Sequence, residues 1–150
     1  MTETVLRAAS ASDAGALAAL EAAIFSDAWS EACLGETLAS PLTAAFLLKE
    51  AGETVGYLIA SYLAPEGELL RIGVHPAYRK RGYGARLMER FLAEAKRRGC
   101  DTLFLEVRRD NAGAISLYRR YGFLDNGVRR GYYKNPTADA LLMRYMASEE

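Results

Sequence analysis

Residues 79–85 read Arg-Lys-Arg-Gly-Tyr-Gly-Ala and lie between an apolar strand pattern at 69–74 and a long amphipathic helix pattern at about 84–98. The first amides of a helix lack partners within the helix, and the helix dipole favours an anion there. Glycine lets a ligand come close to the backbone. The segment therefore predicts a site for a phosphate-bearing ligand.

Two common nucleotide-binding motifs do not fit this segment. Gly82 and Gly84 lack the G-x-G-x-x-G spacing, and the preceding strand does not open a strand–helix–strand series. No Gly-Lys-Ser/Thr follows, which excludes a Walker A loop.

The composition is that of an ordinary globular chain. Of the 150 residues, 51% are apolar and 25% are charged, which fits one domain over residues 1–150. No stretch is long and apolar enough to cross a membrane, and the N-terminus lacks the pattern of a signal peptide. We therefore expect a cytoplasmic monomer without membrane contact.

Cysteine and histidine are too sparse for metal or thiol chemistry. Cys33 and Cys100 form no CxxC pair, which favours reduced, buried thiols. His75 is the only histidine, so we expect no metal; its place before Pro76 at a strand end indicates a structural role. Cys100 follows a helix C-terminus, where nothing activates a thiolate, so an acyl-cysteine intermediate is not expected.

Charge is divided unevenly along a chain of zero net charge. Residues 1–70 carry 2 basic and 10 acidic side chains, and residues 71–150 carry 17 basic and 9 acidic ones. A basic half suits a polyanionic ligand, and an acidic half, including Glu21 and Asp27, suits a basic peptide. A mosaic of solvated charge explains the division equally well. The sequence has no stripe of basic and aromatic residues of the kind that binds nucleic acid, so nucleic-acid binding is not expected.

Periodicity predicts an α/β fold in the order β-α-α-β-β-β-α-β-α-β-β. Its central strand–helix–strand unit favours a mixed sheet with helices on both faces. Ser12 or Asp13 is expected to cap the first helix, and Asp110 or Asn111 the fourth. The predicted strands cover 4–7, 43–50, 54–63, 67–74, 102–107, 123–131 and 139–146, and the predicted helices cover 12–25, 30–38, 84–98 and 112–121.

Several motifs on these elements resemble a known family. Ile72-Gly73-Val74-His75-Pro76 followed by Arg79-x-x-Gly82-x-Gly84 is similar to the acetyl-CoA-binding core of the GCN5-related N-acetyltransferases (GNAT). Leu105-Glu106-Val107-Arg108 with Asn111-x-x-Ala114-Ile115-x-Leu117-Tyr118 resembles the RimI-type enzymes, which acetylate the N-terminal alanine of ribosomal protein S-18. Phe25-x-x-x-Trp29-Ser30 and Arg129-Arg130-x-Tyr132-Tyr133 also match. The resemblance covers nearly the whole chain and implies a GNAT fold with a sheet splayed at the acetyl-CoA site.

Three positions depart from the RimI-type pattern. Ala28 stands where the family has Pro, Gly131 stands where it has Asn, and the loop at 134–138 is short. All three lie where the acceptor is expected, so the pattern specifies the reaction more closely than the acceptor.

The resemblance also implies how acetyl-CoA is bound. The backbone of Ile72, Gly73 and Val74 would bind the pantetheine arm and polarise the thioester carbonyl, helped by a β-bulge with free amides. Gly73 fits a bulge, a close approach or an ordinary strand position. Asn111 would cap a helix, bind CoA, or do both. The segment that would cradle the pyrophosphate comprises Arg79, Lys80, Arg81, Gly82, Tyr83, Gly84 and Ala85.

Two residues are implied for catalysis. Glu106 would remove a proton from the acceptor amine, directly or through a water, and Tyr118 would protonate the departing thiolate. The alternatives are a surface carboxylate paired with Arg108 and an ordinary core aromatic. Trp29, Tyr132 and Tyr133 are candidates for the acceptor channel, with core packing an equal alternative.

The sequence thus predicts direct transfer of acetyl from acetyl-CoA to the N-terminal alanine of a ribosomal protein or another basic peptide. A small-molecule amine or lysine acetyltransferase on the same fold is one alternative. A non-catalytic acetyl-CoA-binding module is the other.

Overall fold

The computed structural model describes residues 3–134 and 137–147, and its element order is the one that the sequence predicts. The strands are β1 (Thr4–Ala8), β2 (Thr43–Glu50), β3 (Glu53–Leu63), β4 (Glu66–Val74), β5 (Thr102–Arg108), β6 (Leu124–Tyr133) and β7 (Ala138–Met146). The α-helices are α1 (Ala14–Ile24), α2 (Glu31–Ala39), α3 (Tyr83–Arg97) and α4 (Ala112–Arg120).

All seven strands form one mixed sheet in the order β1-β2-β3-β4-β5-β7-β6. Only the central pair, β4 and β5, is parallel, because α3 carries the chain across between them. The other neighbours are antiparallel.

The parallel pair separates part-way along its length. Glu66–Glu68 pair with Thr102–Phe104, and the register ends there, although β4 runs on to Val74 and β5 to Arg108. Within the described residues, the second half of β4 therefore has no strand on its β5 side. The sheet opens into a gap at this place, as the resemblance implies.

A β-bulge at Leu70 reverses the alternation of β4. Ala60 pairs with Leu69 and Ile59 with Arg71, which leaves Leu70 as the extra residue. Because of this residue, Arg71 and Gly73 point to one face of the sheet, and Ile72 and Val74 to the other. The bulge was expected at 72–74 and lies earlier.

Two helical layers cover the sheet and bury two cores. The α1–α2 face packs α1 and α2 on Leu47, Tyr57 and Ile59. The α3–α4 face packs α3 and α4 on the opposite side of the same strands and on Leu103 and Leu105. Away from the bulges, residues alternate between the two faces along a strand, as the period of two requires.

Several local predictions need correction. Neither Ser12 nor Asp13 caps α1 through its side chain, since the Asp13 carboxylate accepts a hydrogen bond from Ser10 N (2.9 Å) ahead of a short 3₁₀ turn. Asn111, not Asp110, caps α4. Cys100 is buried as expected, but Cys33 is exposed, because it lies on the outer side of α2.

Two further observations concern residues 3–134 and 137–147 alone. None of their helices could span a membrane. No cluster of three His, Cys, Asp or Glu side chains among them is arranged to hold a metal ion. The short loop predicted at 134–138 includes residues 135 and 136, which lie outside the described part of the chain.

Candidate active site

The segment between β4 and α3 has the backbone of an anion site. Lys80 (φ 65°) and Gly82 (φ 80°) both adopt left-handed conformations, which turn the chain sharply into α3. The first amide to bond back is that of Arg86, which donates to the Gly82 carbonyl (3.2 Å). In this described segment, the amides of residues 83–85 thus have no backbone acceptor and are available to an anion.

The three basic side chains of this segment differ in their roles. Arg81 donates two 2.9 Å hydrogen bonds to the Glu50 carboxylate, and Tyr83 also hydrogen-bonds to Glu50. The Tyr83 hydroxyl, together with Arg81, lowers the pKa of Glu50. Arg79 donates from Nε to the Val74 carbonyl (3.1 Å). Arg81 therefore ties the segment to β2, and its positive charge is largely neutralised.

Two glycines allow close packing around the gap. A Cβ on Gly84 would lie 3.2 Å from Leu117 of α4, and a Cβ on Gly73 would lie 2.9 Å from both Ile24 and Tyr57. Gly73 is therefore a position at which neighbouring side chains come close to the backbone, and not the site of the β-bulge. The free amides of residues 83–85 and the open edge of β4 fit a long ligand with a phosphate group.

The helix α4 begins four residues after the end of β5. Asn111 Oδ1 accepts a hydrogen bond from Ala114 N (3.1 Å), so its carbonyl oxygen caps the helix and its amide nitrogen remains for other contacts. Tyr118 is buried between α4 and the sheet, with Phe123 at its edge. Burial, and then the neighbouring Tyr133, raise the pKa of the Tyr118 hydroxyl well above its usual range.

Glu106 lies on the part of β5 that has left β4. It faces the α1–α2 side of the sheet, opposite to Leu105 and Val107, and its carboxylate is 3.3 Å from the Arg129 guanidinium. A hydrogen bond to Glu106 raises the pKa of the Tyr132 hydroxyl. The predicted alternative partner, Arg108, instead forms an ion pair with Asp110 (3.2 Å).

Tyr133 connects the predicted site residues. Burial, then the Glu106 carboxylate and Tyr132, raise its pKa to about 12. Tyr118 is also close enough for Tyr133 to affect its titration. The structure thus brings Glu106, Tyr132 and Tyr133 together from β5 and β6. Tyr118 of α4 is buried in the core of the α3–α4 face.

A cavity of about 260 Å³ opens beside Glu106 and is lined by Glu68, Phe104, Asn126 and Arg129 as well. Burial, and then the Glu106 carboxylate, raise the pKa of Glu68. The sequence analysis gave no role to Glu68, and it named Arg129 only as part of a family motif. The signal for Glu68 was an acidic residue four positions before Ile72 on the same predicted strand.

A buried ion pair near the gap was also missed. Glu21 is fully buried and accepts hydrogen bonds from Arg71 Nε (2.8 Å) and Nη2 (2.9 Å), from Tyr57, and from Trp29 N (2.9 Å). Glu21 is therefore not a surface charge that could attract a basic peptide, as the charge division suggested. The signal was Glu21 itself, four residues after Leu17 on the apolar stripe of α1.

Trp29 lies at the end of the α1–α2 connection (residues 25–30). Its backbone is fixed by Glu21, and Ser30 beside it caps α2 by accepting a 3.1 Å hydrogen bond from Cys33 N. Its half-buried ring packs against the core of the α1–α2 face.

Comparison with known proteins identifies this arrangement. Residues 15–123 match the acetyltransferase (GNAT) family. The chain belongs to this family. The predicted GNAT fold and the assignment as an N-acetyltransferase are thereby confirmed.

The relatives agree with the RimI-type resemblance. The chain is 43% identical over 138 residues to the N-alpha-acetyltransferase RimI of Mycobacterium tuberculosis (strain ATCC 25618 / H37Rv), covering 88% of this chain and 85% of that protein. It is 40% identical over 94 residues to the [ribosomal protein bS18]-alanine N-acetyltransferase of Escherichia coli (strain K12), covering 63% of this chain and 62% of that protein.

A solved GNAT structure has nearly the same fold. The crystal structure of the ribosomal-protein-S18-alanine N-acetyltransferase from Escherichia coli has a TM-score of 0.91 with 30% sequence identity, covering 99% of this chain and 96% of that one. The match extends from β1 to β7, and so includes the gap and the α1–α2 connection.

Proposed function

We propose that the whole chain acts as one cytoplasmic, monomeric domain that transfers acetyl from acetyl-CoA to the N-terminal alanine of a ribosomal protein. The observation that carries the proposal is the place of Glu106, on the free part of β5 beside an open cavity. The similarity to RimI proteins supports alanine as the acceptor residue.

Acetyl-CoA supplies the acetyl group as a thioester, and three parts of the chain would hold it. The amides of residues 80–85 would receive the pyrophosphate, of which those of 83–85 have no backbone acceptor within the described residues. The open edge of β4 at Ile72–Val74 would face the pantetheine arm. The amide nitrogen of Asn111 remains available for a further contact.

Glu106 would act as the general base, directly or through a water in the adjoining cavity. A free α-amine has a pKa of about 7.7–8.0 against about 10.4 for lysine, so an N-terminal amine needs little help to lose its proton near pH 7. A modest base is therefore sufficient for an N-terminal acceptor.

Tyr118 would act as the general acid. Burial raises the pKa of its hydroxyl, so the hydroxyl carries its proton at physiological pH and would give it up only as negative charge develops on the departing sulfur. Trp29, Tyr132 and Tyr133 would line the channel through which the acceptor reaches Glu106. Tyr132 hydrogen-bonds to Glu106 and contacts the Tyr133 ring, and the Trp29 ring lies 5.2 Å from the Arg71 guanidinium of β4.

Mass spectrometry with two matched basic peptides tests the acceptor. One has a free N-terminal alanine and no lysine, and the other has a blocked N-terminus and one internal lysine. Transfer to the first alone is expected. Transfer to the second alone would move the function to side-chain amines, and acetyl-CoA binding without transfer to peptides, polyamines or aminoglycosides would leave a binding module.

Single substitutions test the two catalytic assignments. Glu106→Gln and Tyr118→Phe should each lower kcat by about 10²–10⁴-fold, while the Kd of acetyl-CoA stays unchanged. Asp101→Asn is a suitable control for Glu106, since it also neutralises a carboxylate and lies exposed next to the start of the same strand. Wild-type turnover in either catalytic variant would overturn that residue's role.

A further inference from the structure

Arg71 of β4 contacts several residues of the α1–α2 connection. Besides its two hydrogen bonds to Glu21, its Nη2 donates to the Asp27 carbonyl (3.2 Å) and approaches the Asp27 carboxylate (3.4 Å). Its guanidinium also lies over the Phe25 ring, at 4.0 Å, and near the Trp29 ring, at 5.2 Å. One side chain thus holds three residues of the connection.

Glu21, to which the Arg71 side chain is bound, is itself held in place by other groups. Glu21 is fully buried in α1, and the Tyr57 hydroxyl from β3 also donates to it. Arg71 reaches Glu21 only because the bulge at Leu70 turns it to the α1–α2 face. A planar guanidinium can bind both carboxylate oxygens and stack on a ring at once, which a lysine ammonium cannot do.

Arg71 lies between the surface assigned to acetyl-CoA and the surface assigned to the acceptor. Arg71 immediately precedes Ile72–Val74, the part of β4 assigned to acetyl-CoA, whereas the α1–α2 connection is assigned to the acceptor.

We propose that Arg71, held by Glu21, is a positioning residue that fixes the α1–α2 connection against β4 and thereby sets the affinity for the acceptor. The statement rests on the proposed function in one respect, the assignment of the connection to the acceptor site. Arg71 itself takes no part in proton transfer. Loss of the clamp should weaken acceptor binding and leave acetyl-CoA binding intact.

Trp29 is the only tryptophan of the chain, so its fluorescence reports on the connection without any assay of activity. In Arg71→Lys we expect red-shifted emission and stronger quenching by acrylamide. We also expect the KM of the alanyl peptide to rise about tenfold, since small misplacements of binding groups are costly. The KM of acetyl-CoA should not change.

Two further variants guard against unfolding and general loosening. Glu21→Gln combined with Arg71→Met removes both charges, so no unpaired charge stays buried, and it should give the same fluorescence change with a folded circular dichroism spectrum. Arg98→Met removes an arginine from the other buried carboxylate, Glu94, at the far end of α3. It should alter neither Trp29 fluorescence nor the KM of the peptide.

The outcomes separate this proposal from the proposed function. Unchanged Trp29 fluorescence in both Arg71 variants would overturn the clamp. A fluorescence change with an unchanged peptide KM would overturn its link to the acceptor, while the proposed function would stand on the wild-type transfer to alanine. If the wild type acetylates only a lysine peptide, the proposed function fails, and the clamp is judged by fluorescence and by the KM of that peptide.

Discussion

Among the residues that the structure describes, each face of the sheet has one buried carboxylate, and the two have different partners. On the α1–α2 face, Glu21 binds groups from β3, β4 and the α1–α2 connection. On the α3–α4 face, Glu94 binds Arg90 and Arg97 of its own helix and Arg98, the residue that follows this helix. The first carboxylate joins separate elements, whereas the second stabilises one helix.

This difference shows on which face of the sheet a buried ion pair connects separate elements. The partners of Glu94 are partly exposed, with 28% to 65% of their side chains accessible, so water can replace a lost contact. Arg71 is only 14% accessible and Glu21 is inaccessible, so a lost contact there leaves a charge without water. The α1–α2 face is therefore expected to tolerate substitution of its buried charges less well than the α3–α4 face.

The largest effect is expected when the buried pair is broken. Arg71→Met should lower the free energy of unfolding by about 3–5 kcal/mol, because an uncompensated carboxylate stays buried. Arg98→Met should cost about 1 kcal/mol or less, as surface pairs do. Urea unfolding of both variants measures the difference, and equal losses would remove the distinction between the two carboxylates.

Two buried tyrosines allow a matched test of a smaller change. Tyr57→Phe removes a donor to the Glu21 carboxylate and should cost about 1.5–3 kcal/mol. Tyr62 donates instead to the Phe91 carbonyl (2.8 Å), which is neutral and lies within α3, so Tyr62→Phe should cost about 0.5–1.5 kcal/mol. Thermal or urea unfolding ranks the pair; the reverse order would contradict the comparison.

Alanine substitutions at two glycines test how much room each face has for an added methyl group. Gly73→Ala places a methyl group 2.9 Å from Ile24 and from Tyr57, which Glu21 holds in place, and should destabilise by about 1–3 kcal/mol. Gly113 in α4 has no atom within 4 Å of its added Cβ, so Gly113→Ala should stabilise by about 0.5–1 kcal/mol. A stabilised Gly73→Ala variant would show that the α1–α2 face can yield.

The smallest effect depends on pH. Hydrogen bonds from Arg97, and then from Arg98, lower the pKa of Glu94 to about 2. Because the folded pKa lies below the unfolded value of about 4.3, the contribution of Glu94 is present above about pH 5 and is lost as the pH falls toward 2. The stability difference between wild type and Glu94→Gln should therefore shrink on acidification, as urea unfolding at pH 6, 4 and 3 would reveal. A difference that is independent of pH would contradict the low pKa.

Local patterns were sufficient for much of this protein. The order of the eleven predicted elements, the glycines that end α3 and α4, and the turn at 79–85 follow from residues near one another in the sequence, since caps, turns and amphipathic stripes are local. The motifs that contain Glu106 and Tyr118 were likewise visible as short runs, and the family they resemble is the one to which the chain belongs.

Contacts between distant segments were decided only by the tertiary structure. Arg71 lies 50 residues from Glu21, and a single bulge determines which face it reaches; no local pattern predicts on which residue that bulge falls. Glu106 pairs with Arg129 of β6 rather than with the neighbouring Arg108, because alternate residues of a strand project to the same face yet need not meet. The packing of distant segments, and not spacing along the sequence, decided which partners Arg71 and Glu106 have.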